Sequence, residues 1–136
     1  VHESSLSPCV HSIQAALLDR MPQAYEFYLR TSRLDLDDYN KEVKEGCHIT
    51  SMAGTWMSIV EGFGGMRIRD NKPSFTPKIP KEWEAYTFKV NFRENIITVK
   101  VSQEGASFHL EGQKEREILV NGKLVQLKNG EAVEVK

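Results

Sequence analysis

Residues 33 to 67 read RLDLDDYNKEVKEGCHITSMAGTWMSIVEGFGGMR, and within this stretch the periodicity of the chain changes. Gly46 ends an acidic loop, and Thr50 or Ser51 stands where a helix needs its N-cap, ahead of a run that continues to about Gly62. Met52, Trp56, Ile59, Val60 and Phe63 follow at spacings of four, three, one and three residues, which predicts a helix buried along one stripe. After Gly62, Gly64 and Gly65 the period becomes two. Tyr86, Phe88, Val90 and Phe92 alternate with polar residues, as do Ile97, Val99 and Val101, the pattern of half-buried strands. The fold class is therefore α+β, with helices over residues 1–64 and a β domain over 65–136.

Working outward, Ser7 and Pro8 read as N-cap and first position of a helix whose apolar residues include Val10, Ile13, Leu17 and Leu18. A second helix starts near Pro22, and its apolar surface (Ala24, Tyr25, Phe27, Tyr28, Leu29, Leu34) is wider than one stripe. Three such helices cannot cover one another, so they are expected to need further helices, as in a piece of a larger helical domain. On the β side, Glu94 and Asn95 are expected to turn a hairpin. Phe108 with Leu110, Ile118–Val120, Lys123–Leu127 and Ala132–Val135 mark further strands, and Asn121-Gly122 and Asn129-Gly130 read as hairpin turns. Strands in this number suggest a small antiparallel β-sandwich or jelly roll. The proline-rich segment 71–83 reads as an ordered connection lying over a surface.

Composition narrows the function. The chain has 136 residues, 40% apolar and 27% charged, which suits a soluble globular protein, and it carries no apolar run of membrane-spanning length. It opens on Val1 without a leader, so a cytoplasmic location is expected. Residues 1–64 hold 5 Lys/Arg against 9 Asp/Glu and residues 65–136 hold 13 against 10, with no dense basic stripe, so no nucleic-acid partner is implied. Cys9 and Cys47 form no CxxC or Cys/His spacing, and the four histidines form no ligand pair, so no metal is expected. The DLDD run at Asp35–Asp38 lacks the glycine and closing Glu of a calcium loop and reads as a solvated acidic loop.

The start of the helix after His48 is a candidate anion site. A helix N-terminus offers unpaired N–H groups and the positive end of its dipole. Thr50 and Ser51 can donate from hydroxyls, His48 from its ring, and Ala53 and Gly54 leave room for close approach. The residues alone support plain helix capping equally, and no Walker-type GxxxxGKS pattern is present.

SSLSP at Ser4–Pro8, RLDLDDYN at Arg33–Asn40, and HITSMAGTW with GFGGMR between His48 and Arg67 resemble glycoside hydrolase family 65, the inverting disaccharide phosphorylases, over most of the chain. The resemblance implies the last helices of an (α/α)6 barrel followed by a small C-terminal β domain. It implies a phosphate site at His48, Thr50, Ser51 and Gly54, with His2, Ser4 and Ser5 lining the active centre. No cofactor is implied, inorganic phosphate being a substrate, and the parent enzyme is expected to be a homodimer acting on a small sugar. HITSMAG favours the maltose-cleaving members, whose reaction gives glucose and β-D-glucose 1-phosphate. The family's general acid has no counterpart here, so no catalytic residue is assigned and the isolated chain is expected to be inactive. A phosphorylase or hydrolase for another glucobiose (trehalose, nigerose, kojibiose) is the alternative, as is a non-catalytic carbohydrate-binding or assembly module. Exposed aromatics among Tyr86, Phe92 and Phe108 would favour that module.

Overall fold

The two periods of the sequence become two kinds of secondary structure. The structure is a computed structural model and describes residues 4–38, 41–112 and 114–136. The chain divides into two compact units, Val1–Phe63 and Gly64–Lys136.

The first unit holds α1 (Ser7–Leu17), α2 (Met21–Ser32) and α3 (Ile49–Met57), and α3 continues into a π-helical turn at Ser58–Phe63. Pro8 lies in the first turn of α1 and Pro22 in that of α2, where the missing N–H costs nothing. The helices approach through small residues. Ser12 is fully buried and donates to the Ala24 carbonyl at 2.8 Å, and Ala15, Ala16 and Ala24 line the same contact. A Cβ added at Gly54 of α3 would stand 2.8 Å from Cys9 Cβ and 2.9 Å from Cys9 Sγ, so α3 passes α1 too closely for any side chain there. Gly62 lies over the backbone of Ile13, and Phe63 is buried edge-on to Tyr28 with ring centroids 5.6 Å apart.

This packing corrects the expected stripe on α3. Val60 and Phe63 are buried, but Met52 and Trp56 are 49% and 51% exposed. The face turned to α1 and α2 is instead the small one: Ser51, Gly54 and Ser58. Val10, Leu17, Leu18, Ile49 and Met57 are also exposed. Close backbone approach selects small residues at a helix contact, and the large apolar side chains then project from the opposite faces.

The second unit has two four-stranded sheets, in the orders β1-β2-β6-β7 and β3-β4-β5-β8. The strands are β1 (Arg67–Arg69), β2 (Lys72–Phe75), β3 (Ala85–Phe92), β4 (Asn95–Ser102), β5 (Gly105–Glu111), β6 (Arg116–Val120), β7 (Lys123–Leu127) and β8 (Ala132–Val135). Alternation holds on β4, where Asn95, Ile97, Val99 and Val101 are buried and Ile96 and Lys100 exposed. Phe75 of β2 meets Phe88 of β3 and Phe108 of β5 at centroid distances of 6.4 and 5.3 Å, so one aromatic cluster joins the two sheets.

Four details differ from the sequence reading. The segment 71–83 contributes a strand, β2, with Pro73 fully buried. The pairing of β2 with β6 begins at Ser74, one residue past the proline, so no ladder hydrogen bond is asked of its nitrogen. That pairing is parallel, so the sheets are not wholly antiparallel. The β3–β4 hairpin turns on Arg93 and Glu94, both with positive φ, while Asn95 is buried in register with Phe92. Asn121-Gly122 does turn the β6–β7 hairpin. Asn129-Gly130 instead connects β7 of one sheet to β8 of the other. The Gly130 N–H donates to Leu110 O at 2.9 Å, and Asn129 Oδ1 accepts from Gly112 N at 2.9 Å, which ties the crossing chain to the end of β5.

Candidate functional site

Sequence order brings the acidic loop to the start of α3, and the structure shows what holds it there. Leu34 is buried and anchors the chain leaving α2. Arg33 and Asp37 form a bidentate pair, both contacts 2.7 Å, and Asp38 Oδ1 accepts from Val43 N at 3.1 Å just before the 3-10 turn at Val43–Glu45. The acidic residues are therefore tied rather than merely solvated.

Asp35 makes the central contact. One carboxylate oxygen accepts from the His48 backbone N–H at 2.9 Å and the other pairs with His48 Nδ1 at 2.5 Å. Glu42 Oε2 lies 3.5 Å from the opposite ring nitrogen, Nε2. The Asp35 hydrogen bond holds the imidazole above its ordinary pKa, aided by the charges of Asp35, Glu42 and Glu45 and opposed by partial desolvation. The same hydrogen bond, with that from the His48 N–H, holds the Asp35 carboxyl below the usual range. Among the described residues, no group of three or more His, Cys, Asp or Glu is placed to hold a metal ion.

The pair makes stability depend on pH with a definite sign. The Asp35 contribution is present above the unfolded carboxyl value near 3.8 and is lost as pH falls through the depressed folded value. The His48 contribution is complete below the unfolded imidazole value near 6.5 and is lost as pH rises through the raised folded value. Both act together between these limits. Urea unfolding followed at Trp56 should therefore show wild type exceeding Asp35→Asn most at about pH 5, with the difference shrinking toward pH 9 and toward pH 2. A difference that stays constant with pH would show that the pair contributes through packing alone.

The helix start itself differs from the expected one. The N-cap position of α3 is His48, and no side chain caps it. The carbonyl of His48 accepts from the N–H groups of Ser51 and Met52, and that of Cys47 accepts from Ile49, so three of the first four N–H groups are already paired. Thr50 is exposed in the first turn. Ser51 is 3% exposed and its hydroxyl points into the helix contact, 3.2 Å from Thr31 O and 3.4 Å from Ser5 O. Gly54 is buried against Cys9. Ser51 and Gly54 thus lie at the helix contact, on the small side of α3 that packs against α1 and α2. Ser5 is half-buried beside Ser51, whereas Ser4 is exposed, its hydroxyl accepting from Leu6 N at 3.2 Å. His2 lies outside the described residues. The structure brings together His48, Asp35 and Glu42, a cluster the sequence reading missed for its two carboxylates. The one signal that could have found them was the proximity of an acidic loop to a lone histidine at a helix start.

Comparison with known proteins identifies the family to which these two units belong. Residues 1–57 match the glycosyl hydrolase family 65 central catalytic domain, and residues 66–127 match the glycosyl hydrolase family 65 C-terminal domain. The maltose phosphorylase of Bacillus subtilis (strain 168) is 53% identical over 110 residues, covering 81% of this chain and 14% of the relative. An alpha,alpha-trehalose phosphorylase of Thermoanaerobacter brockii is 44% identical over 130 residues, covering 96% of this chain and 17% of the relative. The solved structure of a putative kojibiose phosphorylase from human microbiome matches 100% of this chain and 20% of its own with a TM-score of 0.91 and 39% identity. The chain belongs to glycosyl hydrolase family 65. It spans about a sixth of the length of the curated relatives it matches.

Proposed function

We propose that this chain is the C-terminal part of an inverting disaccharide phosphorylase that converts maltose and phosphate to glucose and β-D-glucose 1-phosphate. The observation that carries the maltose reading is the similarity to the Bacillus subtilis maltose phosphorylase. Trehalose and kojibiose phosphorylases share the family, and the choice among these sugars lies in residues that contact the acceptor. In an inverting mechanism a carboxylic acid protonates the departing sugar oxygen while the nucleophile attacks from the opposite face of the ring. Phosphate as nucleophile needs donors and positive charge, not a base. His48 supplies these through Nε2 and Thr50 through its exposed hydroxyl. Asp35 and Glu42 both engage the imidazole, which leaves neither poised to activate water.

The exposed apolar faces of α1 and α3 support the same reading: they are the surfaces on which the remaining helices of an (α/α)6 barrel would pack. The general acid is assigned to that remainder, and the 136-residue chain alone should not cleave maltose. The non-catalytic module is disfavoured by its own criterion. Phe108 is fully buried, and Tyr86 donates its hydroxyl to Lys78 O at 2.8 Å while its ring lies between Trp83 and Phe88.

The test is sugar release from maltose by the whole enzyme carrying this segment, with and without phosphate. Phosphate-dependent formation of β-D-glucose 1-phosphate is expected. Equal glucose release without phosphate would mean a hydrolase and end the proposal.

A further inference from the structure

We propose that Asp35 is a positioning residue for phosphate, fixing the His48 ring with Nε2 outward, and that Glu42 occupies the Nε2 position until phosphate displaces it. This rests on the reading of His48 as a phosphate ligand. Two hydrogen bonds accepted by one carboxylate from one residue define more than contact. The bond to the backbone N–H places Asp35 against the first turn of α3, and the bond to Nδ1 then sets the rotation of the ring. With Nδ1 committed, Nε2 is the only ring atom left to meet a ligand.

What Nε2 presents depends on charge. In the neutral ring, a proton held at Nδ1 by Asp35 leaves a bare lone pair at Nε2, which repels an anion. In the imidazolium, Nε2 carries a proton and donates. Among the described residues, the ionised groups acting on the ring are Asp35, Glu42 and Glu45, all acidic, and they favour the charged form. The arrangement thus places a charged donor, the imidazolium, among carboxylates at the start of α3. Glu42, 3.5 Å away, already takes the place an anion would take. Asp35 is braced for this role by its neighbours: Leu34 is buried, Asp37 is paired with Arg33, and the side chains of Asp35 and His48 are each only 20% exposed.

The two carboxylates should act on phosphate in opposite directions. In the whole enzyme at pH 7, Asp35→Asn should raise the phosphate KM about tenfold, the loss of one charge-assisted hydrogen bond, with kcat within about twofold. It should also move the pH above which phosphate KM climbs to a lower value. The titration of phosphate itself is common to both enzymes, so the displacement reports the protein. Glu42→Gln should lower phosphate KM about two- to threefold, because the competing carboxylate has lost its charge.

Histidine-ring NMR of the 136-residue chain gives a readout independent of activity. The His48 midpoint should lie above 6.5 in wild type, and lower than the wild-type value in Asp35→Asn. A wild-type midpoint below 6.5 overturns the proposal even if the variant fails to fold. A raised phosphate KM with an unshifted pH profile, or a rise in KM for Glu42→Gln, also overturns it. Wild-type enzyme that releases glucose without phosphate defeats the phosphorylase reading, whereas phosphate-dependent enzyme indifferent to Asp35→Asn defeats this inference alone.

Discussion

Phe75→Ala is expected to unfold the β unit or bring it to the edge of unfolding. The ring is fully buried and is the aromatic of the first sheet that reaches both Phe88 and Phe108 of the second. Truncating a buried Phe costs about 3–5 kcal/mol, from lost transfer energy and the cavity left behind. A unit of this size has a total stability of about 4–11 kcal/mol, so the loss is a large part of the whole. Phe75 also serves through its backbone, its carbonyl accepting from Asn121 N at 3.0 Å at the β6–β7 turn, and that contact survives truncation. The loss therefore isolates the ring. Trp83, packed edge-on against Tyr86 at 5.7 Å, reports this unit once Trp56 is replaced by Phe. Urea unfolding should show the midpoint falling steeply. A loss under about 1 kcal/mol would mean that the two sheets do not depend on this cluster.

The second large effect is expected at Gly54. The nearest atoms to an added Cβ are Cys9 Cβ and Sγ, and only the sulfur can rotate away. Gly54→Ala gains about 1 kcal/mol of helix propensity, and forcing α1 and α3 apart costs about 1–3 kcal/mol. A modest net loss follows. Gly54→Leu has no such offset, since its side chain must enter space held by Cys9 and Thr31, and it should disrupt the three-helix contact. Trp56 fluorescence in a Trp83→Phe background reads the helical unit. The diagnostic result is rescue: Cys9→Gly combined with Gly54→Ala should recover most of the stability lost in Gly54→Ala, because one Cβ is then removed from the pair. Two losses that simply add would place the strain elsewhere.

These expectations show how far the residues speak for themselves. The change of period near Gly62 is legible in the sequence because helix and strand periods are local properties of a chain. Asn121-Gly122 named its hairpin for a similar reason: both residues need φ > 0, and the turn requires nothing beyond them. Asn129-Gly130 looks the same in sequence and joins two sheets instead, since which strand follows a turn is decided by partners distant in the chain. β2 was hidden by Pro73, whose neighbours offered no alternation; the strand is defined by its partners, β1 along its length and β6 from Ser74 onward.

At the site, the sequence singled out His48 and the start of α3. It could not say which face of that helix was occupied. Small residues permit either a ligand or another helix to approach, and only packing distinguishes them: Ser51 and Gly54 meet α1 and α2, while Met52 and Trp56 face out. Nor could it pair Asp35 with His48. They are 13 residues apart across a loop, and the contact depends on where α2 ends and α3 begins. Local periodicity determined that this protein has a helical part with an acidic loop and a β part after it. Tertiary structure decided which carboxylate pairs with the histidine and which side of α3 is closed, because burial and electrostatic pairing arise only between segments that the fold brings together.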